Sequence, residues 1–167
     1  MIESKRLYLR RFKPSDYKLL FDLDSNLIVH KHLYNTPMKT ISEAKKYISE
    51  LLNQYDKYAV GRLIVFDKKD NFIGWSGLKY NTSTINNKSN FYDIGYRLRP
   101  EYWGKGLATE SSLAILDYYK NNKNIINNIY AIVSTDNIAS NQVLLKSGLK
   151  FITEFSLAGK SVNWYEL

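Results

Sequence analysis

Apolar positions along this chain repeat with two periods, and the switches between them mark its elements. From Ser4 to Arg11, Leu7 and Leu9 fall on one side and Arg6, Tyr8 and Arg10 on the other, which is the alternation of a strand. Pro14-Ser15-Asp16 ends it. Tyr17, Leu20 and Phe21 then predict a helix over Asp16–Leu23 with Ser15 as its N-cap. After an irregular stretch holding His30, His32 and Pro37, the stripe Ala44, Tyr47, Ile48, Leu51 and Leu52 predicts a second helix, capped by Thr40 or Ser42 and running to about Asn53. The pattern then turns to strand. Ala59–Phe66 and Phe72–Tyr80 flank a polar turn at Asp67–Asn71, and Phe91–Leu98 is a third run stopped by Pro100.

The last third alternates between the two periods. Ala108–Tyr119 is an amphipathic helix and Ile129–Ser134 a nearly continuous apolar strand suited to a buried place in a sheet. Ala139–Ser147 is a helix ended by Gly148, and Phe151–Phe155 with Val162–Leu167 form a hairpin around Ala158-Gly159-Lys160. The order β, α, α, β, β, β, α, β, α, β, β predicts one α/β domain over 1–167, a mixed sheet with helices on both faces. No internal repeat or linker interrupts it.

Composition narrows the chemistry. At 167 residues and 44% hydrophobic, the chain can bury a core without covalent staples. It has no cysteine, so disulfides, thiolate metal sites and a cysteine nucleophile are excluded. Its two histidines, with no carboxylate cluster beside them, argue against a metal centre. No window approaches a membrane span and no leader-like segment opens the chain, so a soluble cytoplasmic protein is expected. The 24 basic and 16 acidic side chains leave +8, which favours anionic partners. Nucleic acid is the weaker choice among these, because the lysines are scattered and no RNA-binding motif is present.

Two strand-to-helix turns carry the candidate chemistry. In Asp93 to Glu110 a strand ends, Tyr102-Trp103-Gly104-Lys105-Gly106-Leu107-Ala108-Thr109 follows, and a helix begins. Gly104, Gly106 and small Ala108 allow close approach and positive φ, so their N–H groups can hold a phosphate or pyrophosphate at the positive helix end, with Lys105 adding charge. The spacing is neither that of a P-loop nor GxGxxG, which argues against nucleotide hydrolysis and dinucleotide binding. In Ser134 to Phe151, Asn137 can cap its helix or bond an amide-bearing ligand. Two such turns side by side place a cleft between neighbouring strand ends.

Together the two stretches resemble the GNAT superfamily of N-acetyltransferases. The acyl-CoA signature RxxGxG/A is matched at Gly106 and Ala108, with Trp103 at the usual Gln/Arg position. Tyr102 to Glu110, Arg6-Leu7-Tyr8-Leu9-Arg10, and Asn137-x-x-Ser140 followed by Lys146-Ser147-Gly148 are similar to the ribosomal-protein N-terminal acetyltransferase branch. The resemblance implies a V-shaped sheet splayed between residues 93–98 and 129–134. Acetyl-CoA would be the co-substrate, with pyrophosphate on Trp103 to Thr109, pantetheine near Tyr96 and Leu98, and Asn137 and Ser140 contacting it. It implies direct acetyl transfer to an amine, a protein N-terminus or a small molecule, and a homodimer is a common assembly among similar proteins. Asp93 is then the first candidate base and Glu110 the fallback, more simply read as bracing its own helix. Ser140 is either the acid at the sulfur or a helix cap. The tyrosine that some relatives use as acid falls at Leu144 here. Tyr96 and Tyr102 add hydroxyls nearby, and His30 and His32 border the acceptor side. A catalytically idle CoA-binding module and a basic RNA-associated domain are the rival readings.

Overall fold

The computed structural model describes residues 1–31, 36–123, 125 and 127–167. The elements are β1 (Ile2–Glu3), β2 (Leu7–Arg11), α1 (Tyr17–Asp24), α2 (Ile41–Tyr58), β3 (Arg62–Asp67), β4 (Phe72–Asn81), β5 (Phe91–Leu98), α3 (Leu107–Lys123), β6 (Ile129–Ser134), α4 (Ile138–Lys146), β7 (Lys150–Leu157) and β8 (Lys160–Glu166). Eight strands form one mixed sheet in the order β1-β2-β3-β4-β5-β6-β8-β7. Every neighbouring pair is antiparallel except β5 and β6. No helix among the described residues is long and apolar enough to cross a membrane.

Helices cover both faces. On β5 the odd residues face α1, since Arg97 pairs with Asp24 of that helix. The even residues face α4, since the Tyr96 hydroxyl donates to the Ser140 carbonyl at 3.0 Å. α3 packs beside α4 and against β4 and β5. One continuous apolar core, from Leu7 and Leu9 through Ile64, Ile73, Leu78 and Ile115, fills the layers. A smaller aromatic cluster of Phe91, Tyr130 and Trp164 sits where β5, β6 and β8 meet.

Several boundaries differ from those expected, most of them by a residue or two, and the larger differences have local causes. The strand expected over Ser4–Arg11 is only Leu7–Arg11, because Ser4 and Arg6 are drawn off to Glu110, and a further short strand, Ile2–Glu3, precedes it. Ser15 does not cap α1; the Asp16 carboxylate takes the Lys13 backbone N–H at 2.7 Å and the Arg10 guanidinium instead. α2 runs to Tyr58 rather than Asn53, with Thr40 as its cap. Its stripe continues to buried Tyr55, whose hydroxyl accepts from the Phe12 N–H at 3.1 Å and donates to the Arg62 carbonyl. Ala59 therefore closes the helix in a left-handed conformation at φ 57°, and the strand starts only at Arg62.

The feature that shapes the site is the parting of β5 and β6. Their parallel register holds only at Tyr92↔Ile129 and Asp93↔Tyr130. β5 continues for five residues to Leu98 while paired only with β4 on its other side. The two halves of the sheet thus open as a V with Asp93 at its apex.

Candidate active site

At the open end of the V, the strand runs through Pro100–Tyr102 into the loop before α3. Gly104 and Gly106 adopt φ 70° and 74°, left-handed values that favour glycine. Where Thr40 caps α2 and Asn137 caps α4, the residue before α3 is Gly106, which has no side chain to cap with. Glu110 is the first residue whose N–H reaches a carbonyl of the turn, Gly106 O at 3.0 Å. Among the described residues no protein group takes the N–H groups of Gly106, Leu107, Ala108 or Thr109, and all four residues line the cleft. Four free donors at the positive end of a 17-residue helix suit a phosphate. Trp103 is half exposed, and its indole N–H donates to the Leu98 carbonyl at 2.7 Å, which ties the loop to the end of β5. The Lys105 ammonium lies 5.5 Å from the Tyr102 ring centroid rather than along the cleft wall.

The back of this loop is clasped by the N-terminal segment. The Arg6 Nη1 donates to the Lys105 carbonyl at 2.9 Å and its Nε to Glu110 at 2.6 Å. Glu110 also accepts from the Arg6 N–H and the Ser4 hydroxyl. Glu110 therefore braces the chain start against α3, not only its own helix. Partial burial works against its charge, but the Arg6 N–H, the Ser4 hydroxyl and the Arg6 guanidinium outweigh it and hold the carboxyl below its ordinary value. A depressed folded value contributes stability above the unfolded pKa, and that contribution is lost as pH falls through the folded one. Glu110→Gln is thus expected to lower Tm at neutral pH, by about 2–4 °C per kcal/mol for a loss of about 1–2 kcal/mol. The gap to the parent should close below about pH 4. A gap that stays constant from neutral to acid pH in melting curves would show that the ionised carboxylate does not contribute.

At the apex, Asp93 is not a solvated edge carboxylate. Its Oδ2 accepts from Arg62 Nη2, while Arg62 Nη1 donates to the Gly77 carbonyl and, at 2.8 Å, to the Asp93 carbonyl. A Cβ on Gly95 would lie 2.8 Å from Arg62 Nη2, so glycine there lets the guanidinium cross the strand. Asp93 Oδ1 has no protein partner among the described residues, and Asp93 lines the cleft. Beside it, Trp75 carries two guanidinium groups, Arg62 at 5.3 Å and Arg97 at 5.1 Å from its centroid. His30 is buried close to this cluster, and burial, followed by the Arg97 charge, depresses its pKa. His32 lies outside the described residues.

On the other wall, Asn137 is the N-cap of α4. Its Oδ1 accepts from the Ser140 N–H at 3.1 Å, and its Nδ2, beside the cleft, has no protein partner among the described residues. The cap is thus Asn137 and not Ser140, whose hydroxyl has no protein partner among the described residues. Burial raises the Tyr96 phenol, and its hydroxyl is spent spanning the V to Ser140 O, so it is neutral and already engaged. Leu144 is buried and offers no acid. Asn141, which the sequence reading passed over, donates to the Ser134 and Asn137 carbonyls and accepts from Asn163 and Tyr165, fixing α4 on the sheet. Arg62, Trp75, Arg97 and Arg6 were likewise missed as site residues. Gly95 was the one local sign of the first.

The cleft encloses about 710 Å³ and joins the glycine loop, the free edge of β5 with Ile94, Tyr96 and Leu98, the head of α4 and the Asp93 apex. Among the described residues no group of three or more His, Asp or Glu side chains could hold a metal ion. A splayed sheet with phosphate donors at its open end and a carboxylate at its apex has the form of an acyl-CoA-dependent transferase.

Comparison with known proteins agrees. YoaA of Bacillus subtilis (strain 168), an uncharacterized N-acetyltransferase, is 29% identical over 151 residues, 90% of this chain and 82% of its own length. The fold superimposes on the ribosomal L7/L12 α-N-protein acetyltransferase RimL in complex with coenzyme A, with TM-score 0.81 and 20% identity over 98% of this chain and 94% of that one. It also superimposes on spermidine N-acetyltransferase from Vibrio cholerae in complex with CoA and spermine, with TM-score 0.76 and 22% identity over 98% and 96%. Residues 6–150 match the acetyltransferase (GNAT) domain family, and the chain belongs to it. The protein is an acetyl-CoA-dependent N-acetyltransferase.

Proposed function

We propose that this enzyme acetylates a primary amine by direct attack on acetyl-CoA bound in the V. The observation that carries the reading is the set of unpartnered N–H groups at Gly106 to Thr109 facing a cleft whose other end is the Asp93 apex. The pyrophosphate belongs on those donors. Pantetheine lies along the unpaired edge of β5 at Tyr96, with the Leu98 carbonyl already occupied by Trp103. The free Nδ2 of Asn137 donates to a pantetheine amide carbonyl. The acetyl carbonyl then sits toward the apex.

The acceptor nitrogen attacks the thioester carbon, the C–S bond breaks, and the thiolate leaves. As the new bond forms, the nitrogen becomes acidic and gives up a proton, directly or through a water, to the free Oδ1 of Asp93. The Ser140 hydroxyl hydrogen-bonds the departing thiolate, which takes up a proton from solvent, balancing the one that Asp93 releases there. Formation of CoA from acetyl-CoA, followed against a panel of amines, tests the reading. Absence of turnover with every amine, despite acetyl-CoA binding, would favour an idle CoA-binding module.

Asn137 serves two roles, and they separate experimentally. Losing the cap costs about 0.5–2 kcal/mol. Asn137→Ala is expected to melt earlier and also to raise KM for acetyl-CoA several-fold, whereas Asn137→Asp retains the cap but not the donor and should raise KM alone. Full acetyl-CoA use per folded molecule in both variants would reduce the residue to a cap.

A further inference from the structure

Two ion pairs cross the acceptor side of the cleft, and they face it in opposite senses. In the pair Arg62–Asp93 the arginine is the buried member, 8% exposed against 17%. In the pair Arg97–Asp24 the acid is buried at 3% and the arginine stands at 20%. Asp93 and Arg97 both line the cleft, so it meets an anion at one point and a cation at another. Both side chains project from the same face of β5, four residues apart. That spacing is about 13 Å along a strand rising about 3.3 Å per residue.

Arg97 is only partly satisfied within the protein. Its Nη1 reaches Asp24 Oδ1 at 2.8 Å and its guanidinium stacks on Trp75. Its other N–H groups have no protein partner among the described residues. His30, beside it, is neutral near pH 7 and leaves that charge in place. Guanidinium N–H groups stacked on an indole and opening on a cleft suit a carboxylate.

Resting on the acetyl-transfer reading, which places the reacting nitrogen at Asp93, we infer that the acceptor is an amine carrying an anionic group that Arg97 receives. An unblocked peptide N-terminus with an acidic side chain downstream is the class that fits. An extended peptide advances about 3.3–3.6 Å per residue, so the carboxylate falls at about the third to fifth residue. A linear polyamine fits Asp93 but brings like charge to Arg97, which disfavours it.

The test uses the intact enzyme, acetyl-CoA and free-amine pentapeptides that differ only at the fourth residue, Asp, Asn or Lys, with spermidine alongside. At low salt kcat/KM is expected to fall from Asp to Asn to Lys by about fivefold or more per step, about 1 kcal/mol each. The differences should narrow as ionic strength rises. Arg97→Gln alone would strand the buried Asp24 carboxylate, so the variant is Asp24→Asn/Arg97→Gln, and there the Asp-to-Asn ratio is expected to fall to about one. Equal rates for the three peptides, a preference for spermidine, or an Asp preference that survives in the folded double variant would each overturn the inference while leaving acetyl transfer intact. No turnover with any amine would overturn both. If the double variant does not fold, the peptide series on the parent enzyme decides alone.

Discussion

Gly106→Val is expected to raise the Kd for CoA by about 100-fold or more, about 2.7 kcal/mol, in a protein that still folds. The reason is conformational rather than steric within the protein. A Cβ at Gly106 would meet nothing nearer than Arg6 Nη2 at 3.6 Å. The residue sits at φ 74°, however, where an L side chain costs about 1–2 kcal/mol and a β-branched one more. The variant has two options. It can hold the left-handed backbone and set two methyl groups beside the free N–H groups of Gly106 to Thr109. Or it can relax to negative φ and turn those donors away from the cleft. Either course removes the phosphate site. The loop is exposed and outside the core, so the strain is small against a domain stability of about 5–15 kcal/mol. Calorimetric titration with CoA, with far-UV circular dichroism to establish folding, checks it. CoA affinity unchanged in a folded variant would place the pyrophosphate elsewhere.

How far this site could be read from sequence depended on how local each contact is. Phe91–Leu98 and Ile129–Ser134 were bounded to the residue, the first because Pro100 stops it after a polar loop and the second because a nearly continuous apolar run ends in polar residues. The glycine loop was equally legible, since positive φ and an uncapped helix start are local properties. α2 was cut short because Tyr55 and Tyr58 stand next to a run that reads as strand. Only the tertiary bonds of the Tyr55 hydroxyl to Phe12 and Arg62 show that the helix continues. Pairing between distant segments had no local signature at all. Nothing in Lys160–Glu166 says that β8, rather than β7, lies against β6. Arg62 and Asp93 are 31 residues apart, and Arg6 and Glu110 104 apart. Each residue reads alone as a surface charge, and each becomes part of the site only when the sheet brings it to its partner.

Asp93→Asn is expected to lower turnover by about 10²-fold at neutral pH, the lower end of the range for lost acid–base catalysis. Arg62 holds Oδ2 and lies across Gly95, which leaves Oδ1 without a protein partner among the described residues at the point where β5 and β6 part. The ion pair gives the carboxylate a fixed direction. The amide of asparagine can still accept from Arg62 through its oxygen, so the geometry is kept and the proton acceptor is lost. Two effects are thereby open to separation. If Asp93 takes the proton, the deficit is largest where the acceptor is an ammonium and shrinks as pH rises past its pKa, about 8 for an α-amino group. If the substitution only disturbs Arg62, the deficit is the same at every pH and is accompanied by a lower Tm. KM for acetyl-CoA should be unchanged in either case, because the phosphate donors lie at the far end of the V. A variant with parental turnover from about pH 6 to 9, a span chosen around that amine pKa, would remove Asp93 as the base. Glu110, ion-paired to Arg6 behind the phosphate loop, is badly placed to succeed it, so ordered water would be the remaining route for the proton.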